Sequence, residues 1–249
     1  MKMRLVPSLV LAAVLAVSAC SGEPGGPAPG GPEPGDTAAM PQPDGQVSPD
    51  SMPAPNADGS VSAANLPEAD DLQWNDAVEW ETGETTTGTG AGQLSVCQQT
   101  PLDSLGANSI QVRTFEMTGG DGQAAAVAMS FDTAEVADQA AETLEEWVAD
   151  CTLVLEGQNR TDGNQVVAPT VVFVPHGARG QVSEWAYTTP EDVGEFESQG
   201  VVVIGNRVAL LVMRIEGQDN NWSTEPDAPE DDLHPMIRSL TPLTDKLVR

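Results

Sequence analysis

From Ser21 to about Asn65 the sequence is built of Gly, Pro, Ala and acidic residues, as in GEPGGPAPGGPEPG and PQPDGQVSP, with almost no large apolar side chain. Such a stretch cannot bury enough surface to offset the entropy of ordering it, so it reads as a disordered, partly extended tether. Whatever the chain folds into must come from Leu66 to Arg249, roughly 180 residues, enough to bury about 70% of the unfolded surface around one core.

The tether has an address in front of it. Met1 to Arg4 form a positive n-region and Leu5 to Val17 an apolar stretch too short to span a membrane comfortably. Val17-Ser18-Ala19-Cys20 closes this segment with small residues and resembles the lipobox of bacterial lipoproteins. The resemblance implies cleavage before Cys20 and a diacylglyceryl thioether on its sulfur. At about 0.8 kcal/mol per buried CH₂, that lipid with an amide-linked acyl chain anchors stably. The expected organisation is a signal peptide over 1–19, a lipidated Cys20 and tether over 20–65, and a domain over 66–249. The domain is expected on the outer face of the cell membrane.

With Cys20 lipidated, Cys97 and Cys151 are the remaining thiols. In an oxidising extracytoplasmic compartment two thiols point to one disulfide, for which chain entropy gives about 4 kcal/mol of stabilisation. The alternative, a reactive or metal-binding pair, lacks a Cys-x-x-Cys spacing or a neighbouring His.

Charge excludes some partners. Asp and Glu number 38 against 10 Lys and Arg, for a formal net charge of −28, and no basic residue lies between Arg4 and Arg113. Nucleic-acid binding needs clustered Lys and Arg, so no nucleic-acid partner is expected. The same charge opposes adsorption of the domain to an anionic membrane surface.

Within 66–249 strand signals dominate. Ala125, Val127, Met129 and Phe131 alternate with small or polar residues, and the Gly119 to Gly122 cluster turns that strand back onto Val112 to Met117. Val171 to Val174 and Val182 to Tyr187 flank a turn-rich segment, and Gly205-Asn206 makes a tight hairpin between Val201–Ile204 and Arg207–Ile215. Val208 to Met213 is apolar on both faces, the pattern of a central strand covered on both sides. The threonine run Thr85 to Thr89 reads as a polar loop.

Two helices interrupt the strands. Asp132 and Glu135 have capping-box spacing before Val136, Ala140, Leu144, Trp147 and Cys151. The second follows Glu230-Asp231-Asp232 and carries Leu233, Ile237, Leu240 and Leu247 on one face, with Pro242 expected to kink or split it. The order gives an α+β fold: an antiparallel β-sheet with two main helices packed on one side, behind the tether.

Ala69-Asp70-Asp71-Leu72 with Trp74, Val96-Cys97-Gln98, and Phe131 before a helix ending LEEWVADC, together with the lipobox and tether, resemble the PknH-like extracellular sensor domain. That family occurs on actinobacterial Ser/Thr receptor kinases and as free-standing lipoproteins. The resemblance implies an extracytoplasmic sensor or ligand-binding module with a cleft between sheet and helices. Domains of the kinase type are expected to have two disulfides where this chain can form one. With no kinase and no transmembrane helix in the sequence, signalling would pass through another protein.

Chemistry is sparse. A hydrolytic triad needs a base, and His176 in a turn and His234 at a helix start have no motif around them. Asp219, Asn221, Ser223, Glu225, Asp227 and Glu230 occupy positions 1, 3, 5, 7, 9 and 12 of a calcium-loop template, against Thr224 where glycine is needed and Pro226 within the loop. No cofactor is expected, with calcium in that loop as the alternative to a solvated acidic turn. Trp185 and Tyr187 on one strand face and Trp222 in the acidic loop are the candidate ligand-binding aromatics, against core packing. The reading is a non-enzymatic, lipid-anchored sensor or binding domain whose partners are the membrane, through Cys20, and an envelope ligand or protein. The alternatives are an accessory docking lipoprotein of an envelope complex and a hydrolase of envelope polymers.

Overall fold

The structure, a computed structural model, describes residues 59–74, 78–89, 92–158, 160, 165–217, 222–225 and 227–249, with backbone alone for 165–169. Cys20, the signal segment and the tether up to residue 58 lie outside the described residues, as do Asp219 and Asn221. Packing begins by Val61, ahead of the Leu66 boundary read from composition: Val61 and Asn65 are buried, and Asn65 Nδ2 donates to the Lys246 carbonyl at 3.0 Å.

The described elements run β1 (Glu79–Thr87), β2 (Ser109–Thr118), β3 (Gln123–Ser130), α1 (Ala134–Ala149), α2 (Cys151–Gly157), β4 (Gln165–Val172), β5 (Arg179–Thr188), β6 (Gly194–Ile204), β7 (Arg207–Glu216) and α3 (Pro235–Leu247). The strands form one 7-stranded sheet in the order β1-β2-β3-β7-β6-β5-β4, antiparallel throughout. This is the expected α+β class. The β2–β3 hairpin closes with Met117 N donating to Gly122 O at 2.9 Å. The β6–β7 hairpin closes on the Ile204 and Arg207 pair, with Gly205 at φ +55°, a turn position that disfavours a Cβ.

β7 lies in the middle of the sheet and explains the layering. Ala209, Leu211, Met213 and Ile215 join one core with Leu240, Leu243 and Leu247 of α3. Val208, Leu210 and Val212 join a second core with Ala137, Leu144 and Trp147 of α1. The two main helices therefore lie on opposite faces of the sheet, not on one side. The two-faced apolar pattern of β7 required this second layer, because each of its faces must be covered.

Local expectations are refined in four places. α1 is capped by Thr133, whose Oγ1 accepts from Val136 N at 3.3 Å, while Asp132 instead accepts from Asn108 Nδ2 at 2.7 Å. The threonine run is strand, not loop: Thr85 to Thr87 belong to edge strand β1, whose mostly exposed residues give no hydrophobic alternation although Thr suits a pleated edge. Pro242 sits inside α3 without splitting it. Cys97 and Cys151 form the expected disulfide, with Cα atoms 4.9 Å apart, and Cys151 opens α2 just after α1 ends.

The scarce cations work inside the fold. Buried Arg113 donates to the Pro67 carbonyl at 2.7 Å and pairs with Glu68 at 2.8 Å. Buried Arg207 donates to the Leu247 carbonyl at 2.7 Å, fastening the end of α3 to the sheet. Among the described residues no helix is long and apolar enough to cross a membrane.

Candidate functional site

One stripe of α3 runs along the edge of its core. Leu233, just before the helix, Ile237 and Thr241 recur at four-residue spacing, with Arg238 and Pro242 beside them, and these residues floor a cleft of about 910 Å³. One wall is the 69–71 turn and Gln73, a second is Thr224 and Glu230, and the third is the end of edge strand β4, Val171 and Val172, with Phe173 just past it. The β alternation sends Val172 and Val174 into the core. Val171 and Phe173, of the other parity, are 73% and 86% exposed and border the cleft, large apolar groups in water with a cavity beside them.

The start of α3 is built with care. His234 is its N-cap: Nδ1 accepts from Met236 N at 3.1 Å, so the ring is neutral with its proton on Nε2, which faces Glu184 Oε1 at 3.2 Å. Burial and the nearby Arg238 push this histidine down to about 4. A charged His234 would attract Glu184 but would lose the Met236 amide, so the neutral form is the one this geometry holds. Pro235 occupies the first helical position, where no donor is missed. Ser223 clamps the preceding loop, its N donating to Asp232 O at 2.7 Å and its O accepting from His234 N at 2.9 Å.

The candidate aromatics distribute unequally. Trp222 packs edge-on against Trp74, centroids 5.0 Å apart, and against His234 at 5.5 Å, so it pins the loop beside the cleft and is not among the cleft-lining residues. Trp185 and Tyr187 are each 2% exposed and cannot present a face to a ligand. They share one strand face, as expected, but the disulfide loop covers that face, and they pack with Val96, Cys97, Val148, Cys151 and Leu155.

The calcium template is not assembled among the described residues. Ser223 Oγ accepts from Glu225 N at 3.1 Å, Glu225 and Asp227 are exposed, and Glu230 opens a turn on the cleft wall. No group of three or more His, Cys, Asp or Glu among the described residues is placed to hold a metal ion, and Asp219 and Asn221 lie outside them. His176, at φ +62°, caps no catalytic group; its Nε2 lies 2.7 Å from Asp245 Oδ1 of α3.

A second polar cluster lies under the disulfide. Glu197 of β6 is 2% exposed, and its carboxylate accepts the Val96 N–H at 3.0 Å. Desolvation pushes it up to about 7, against the opposing pull of Ser95, Arg214 and the Val96 amide. Tyr187 donates its hydroxyl to Glu195, and Arg160 sits 5.0 Å over the Tyr187 ring. Burial, with the Glu197 charge second, holds the Tyr187 phenol well above the usual tyrosine range. The one sequence signal for Glu197 was an acid on a strand that becomes wholly apolar a few residues on; nothing in the sequence marked Phe173, Asp70 or Arg238 as neighbours.

No protein-family model matches the chain, and no curated protein matches it. Among solved structures, the extracellular domain of PknH from Mycobacterium tuberculosis is similar at 12% identity and a TM-score of 0.38, over 73% of this chain and 95% of that one. This is a distant resemblance in fold.

Proposed function

We propose that the chain is a non-enzymatic binding module of the cell envelope, held outside the membrane by a lipid on Cys20, and that it senses or captures a ligand in the cleft along α3. The observation that carries this reading is the cleft itself: a cavity of about 910 Å³ within the size range of small-molecule sites, with exposed Val171 and Phe173 on one wall and polar groups on the others. The non-enzymatic part is supported by where the perturbed groups lie. Glu197 is sealed beneath Val96, and His234 spends its lone pair on a helix cap, so neither meets a substrate in the cleft.

The test is thermal unfolding of the chain with a panel of envelope glycans, peptides and lipids, alone and as Thr241→Trp, which fills the cleft from an exposed helix position. A ligand at a hundred times its Kd adds about 2.7 kcal/mol, several degrees in midpoint. The expected result is a shift with one ligand class that Thr241→Trp abolishes without altering the unliganded midpoint. No shift with any of them transfers the assignment to a docking lipoprotein, for which exposed Val171 and Phe173 would be the contact surface.

A further inference from the structure

We infer that the α3 cleft is selective for an organic cation carrying an apolar tail, an amphiphilic ammonium, over neutral and anionic amphiphiles. The inference rests on the cleft being a ligand site and adds the chemistry of what it takes.

Three observations converge on it. The first is where the charge is left over. Arg113, Arg179 and Lys246 are engaged with Glu68, Asp138 and Asp71, and Arg207 with the Leu247 carbonyl. Asp70 and Glu230, on two walls of the cleft, are exposed and, among the described residues, have no cation within ion-pair distance. Asp71, the third acid of the lining, is held by Lys246 at 3.4 Å and by the Glu68 N–H at 2.7 Å. Among the described residues Arg238 is the one cation of the lining against these three acids; its Nη2 is turned to the Trp74 carbonyl at 2.8 Å and its Nε is buried with no hydrogen-bond partner. Glu225, Asp227, Asp231 and Asp232 are exposed and flank the lining residues Thr224 and Glu230 in the chain, adding negative charge to that segment, which favours a positive group over a negative one.

The second observation is Phe173. Phe173 borders the cleft with its side chain 86% exposed, so its ring is accessible to an ammonium at the cleft mouth, which the ring quadrupole attracts. The third is the apolar part of the lining. Val171, Leu233 and Pro242, with the edges of the core residues Val172 and Ile237, have no polar atom in their side chains and can take an alkyl or aryl tail, excluding water from it. A cation without a tail would leave this surface wet, and a neutral tail would leave the carboxylates unused.

The experiment uses the full chain with Cys20→Ser, so that no acyl chain of its own competes, and three probes with one tail: octyltrimethylammonium, octyl glucoside and octyl sulfate, each well below its micelle concentration. Affinity is read by calorimetric titration and location by amide chemical shifts. The expected result is binding of the ammonium at least fivefold tighter than the other two, with shifts at Val171, Phe173 and Ile237. Phe173→Ala and the pair Asp70→Asn with Glu230→Gln should each weaken it about fivefold, the scale of one exposed cation–π contact or ion pair. These side chains are exposed, and an unchanged near-ultraviolet dichroism spectrum verifies folding of each variant. Octyl glucoside binding as tightly as the ammonium overturns the cation assignment and leaves the cleft a ligand site. Tightest binding by octyl sulfate does the same. Ammonium binding that both variants leave intact overturns the assignment of these groups, and no binding by any probe overturns it together with the ligand-site reading.

Discussion

The backbone N–H of Val96, one residue before a half-cystine, donates to the buried carboxylate of Glu197 at 3.0 Å, so the disulfide loop is fastened to the sheet covalently at Cys97 and by an ionisable group beside it. Burial holds Glu197 at about 7 in the folded chain against an ordinary 4.5, and the folded state therefore keeps a proton that the unfolded state releases. Its contribution to stability is complete below about 4.5 and is lost as pH rises through about 7. The full effect is on the order of 3 kcal/mol. Glu197→Gln keeps the acceptor and removes the titration. Urea unfolding at several pH values between 5 and 8 should show wild type losing stability that the variant retains; parallel pH profiles would contradict the assignment. Repulsion among the other carboxylates acts on both proteins and cancels in the difference.

Cleaving the Cys97–Cys151 bond tests the other fastening. The loop it closes spans a sequence separation of 54, for which the chain-entropy estimate is about 4 kcal/mol. Cys97→Ala with Cys151→Ala should lower the urea midpoint accordingly. It should also flatten the pH dependence assigned to Glu197, because a loosened loop admits water to the carboxylate. A large loss of stability with the pH slope unchanged would separate the two fastenings and refute their coupling.

His234 acts in the opposite sense. Its folded value is lowered to about 4 from 6.5, so between these values the unfolded state takes up a proton that the folded state refuses. Its contribution is complete above about 6.5 and is lost as pH falls through about 4. Between about 4.5 and 6.5 this gain with rising pH opposes the loss from Glu197, so the two groups are separated only by their own variants. His234→Asn supplies an N-cap acceptor without a titration and should flatten the acid limb, whereas His234→Ala should lose about 1 kcal/mol more at pH 7 through the missing cap. Equal acid limbs in wild type and His234→Asn would show that the ring does not titrate as its cap geometry requires.

Much of the sheet was legible because its signals are local. Gly205-Asn206 between two apolar runs fixes a hairpin by itself, and the Gly119 to Gly122 cluster fixes another. β7 announced two covered faces, yet neither helix carries in its own pattern the choice of face, and the layering followed only from which β7 parity each helix meets. The pairing of Trp185 with Tyr187 on one face was readable, while the burial of that face depends on a loop about ninety positions earlier in the chain. The cleft was not readable at all. Asp70, Phe173, Glu230 and Ile237 come from four separated segments, none with a motif, and only the packing of α3 beside the β4 edge brings them to one cavity.

Gly200 sets how closely α3 can lie against the sheet, and so the depth of that cleft. A Cβ there would stand 2.6 Å from Leu240 Cδ2 and 2.7 Å from Met236 Sδ, both in side chains buried in the core beneath the helix. Gly200→Ala should therefore lower stability by about 1–3 kcal/mol through overpacking, in spite of the entropy it removes from the unfolded chain. Gly157, at the end of α2, provides the control: nothing lies within 4 Å of its added Cβ, so Gly157→Ala should be neutral or stabilising by up to about 1 kcal/mol. Urea midpoints of the two variants should fall on opposite sides of wild type or nearly so, and chemical-shift changes in Gly200→Ala should concentrate along Met236 to Leu243. A Gly200→Ala protein as stable as wild type would mean that α3 shifts outward at no cost, and that its approach to β6 is not what holds the cleft floor in place.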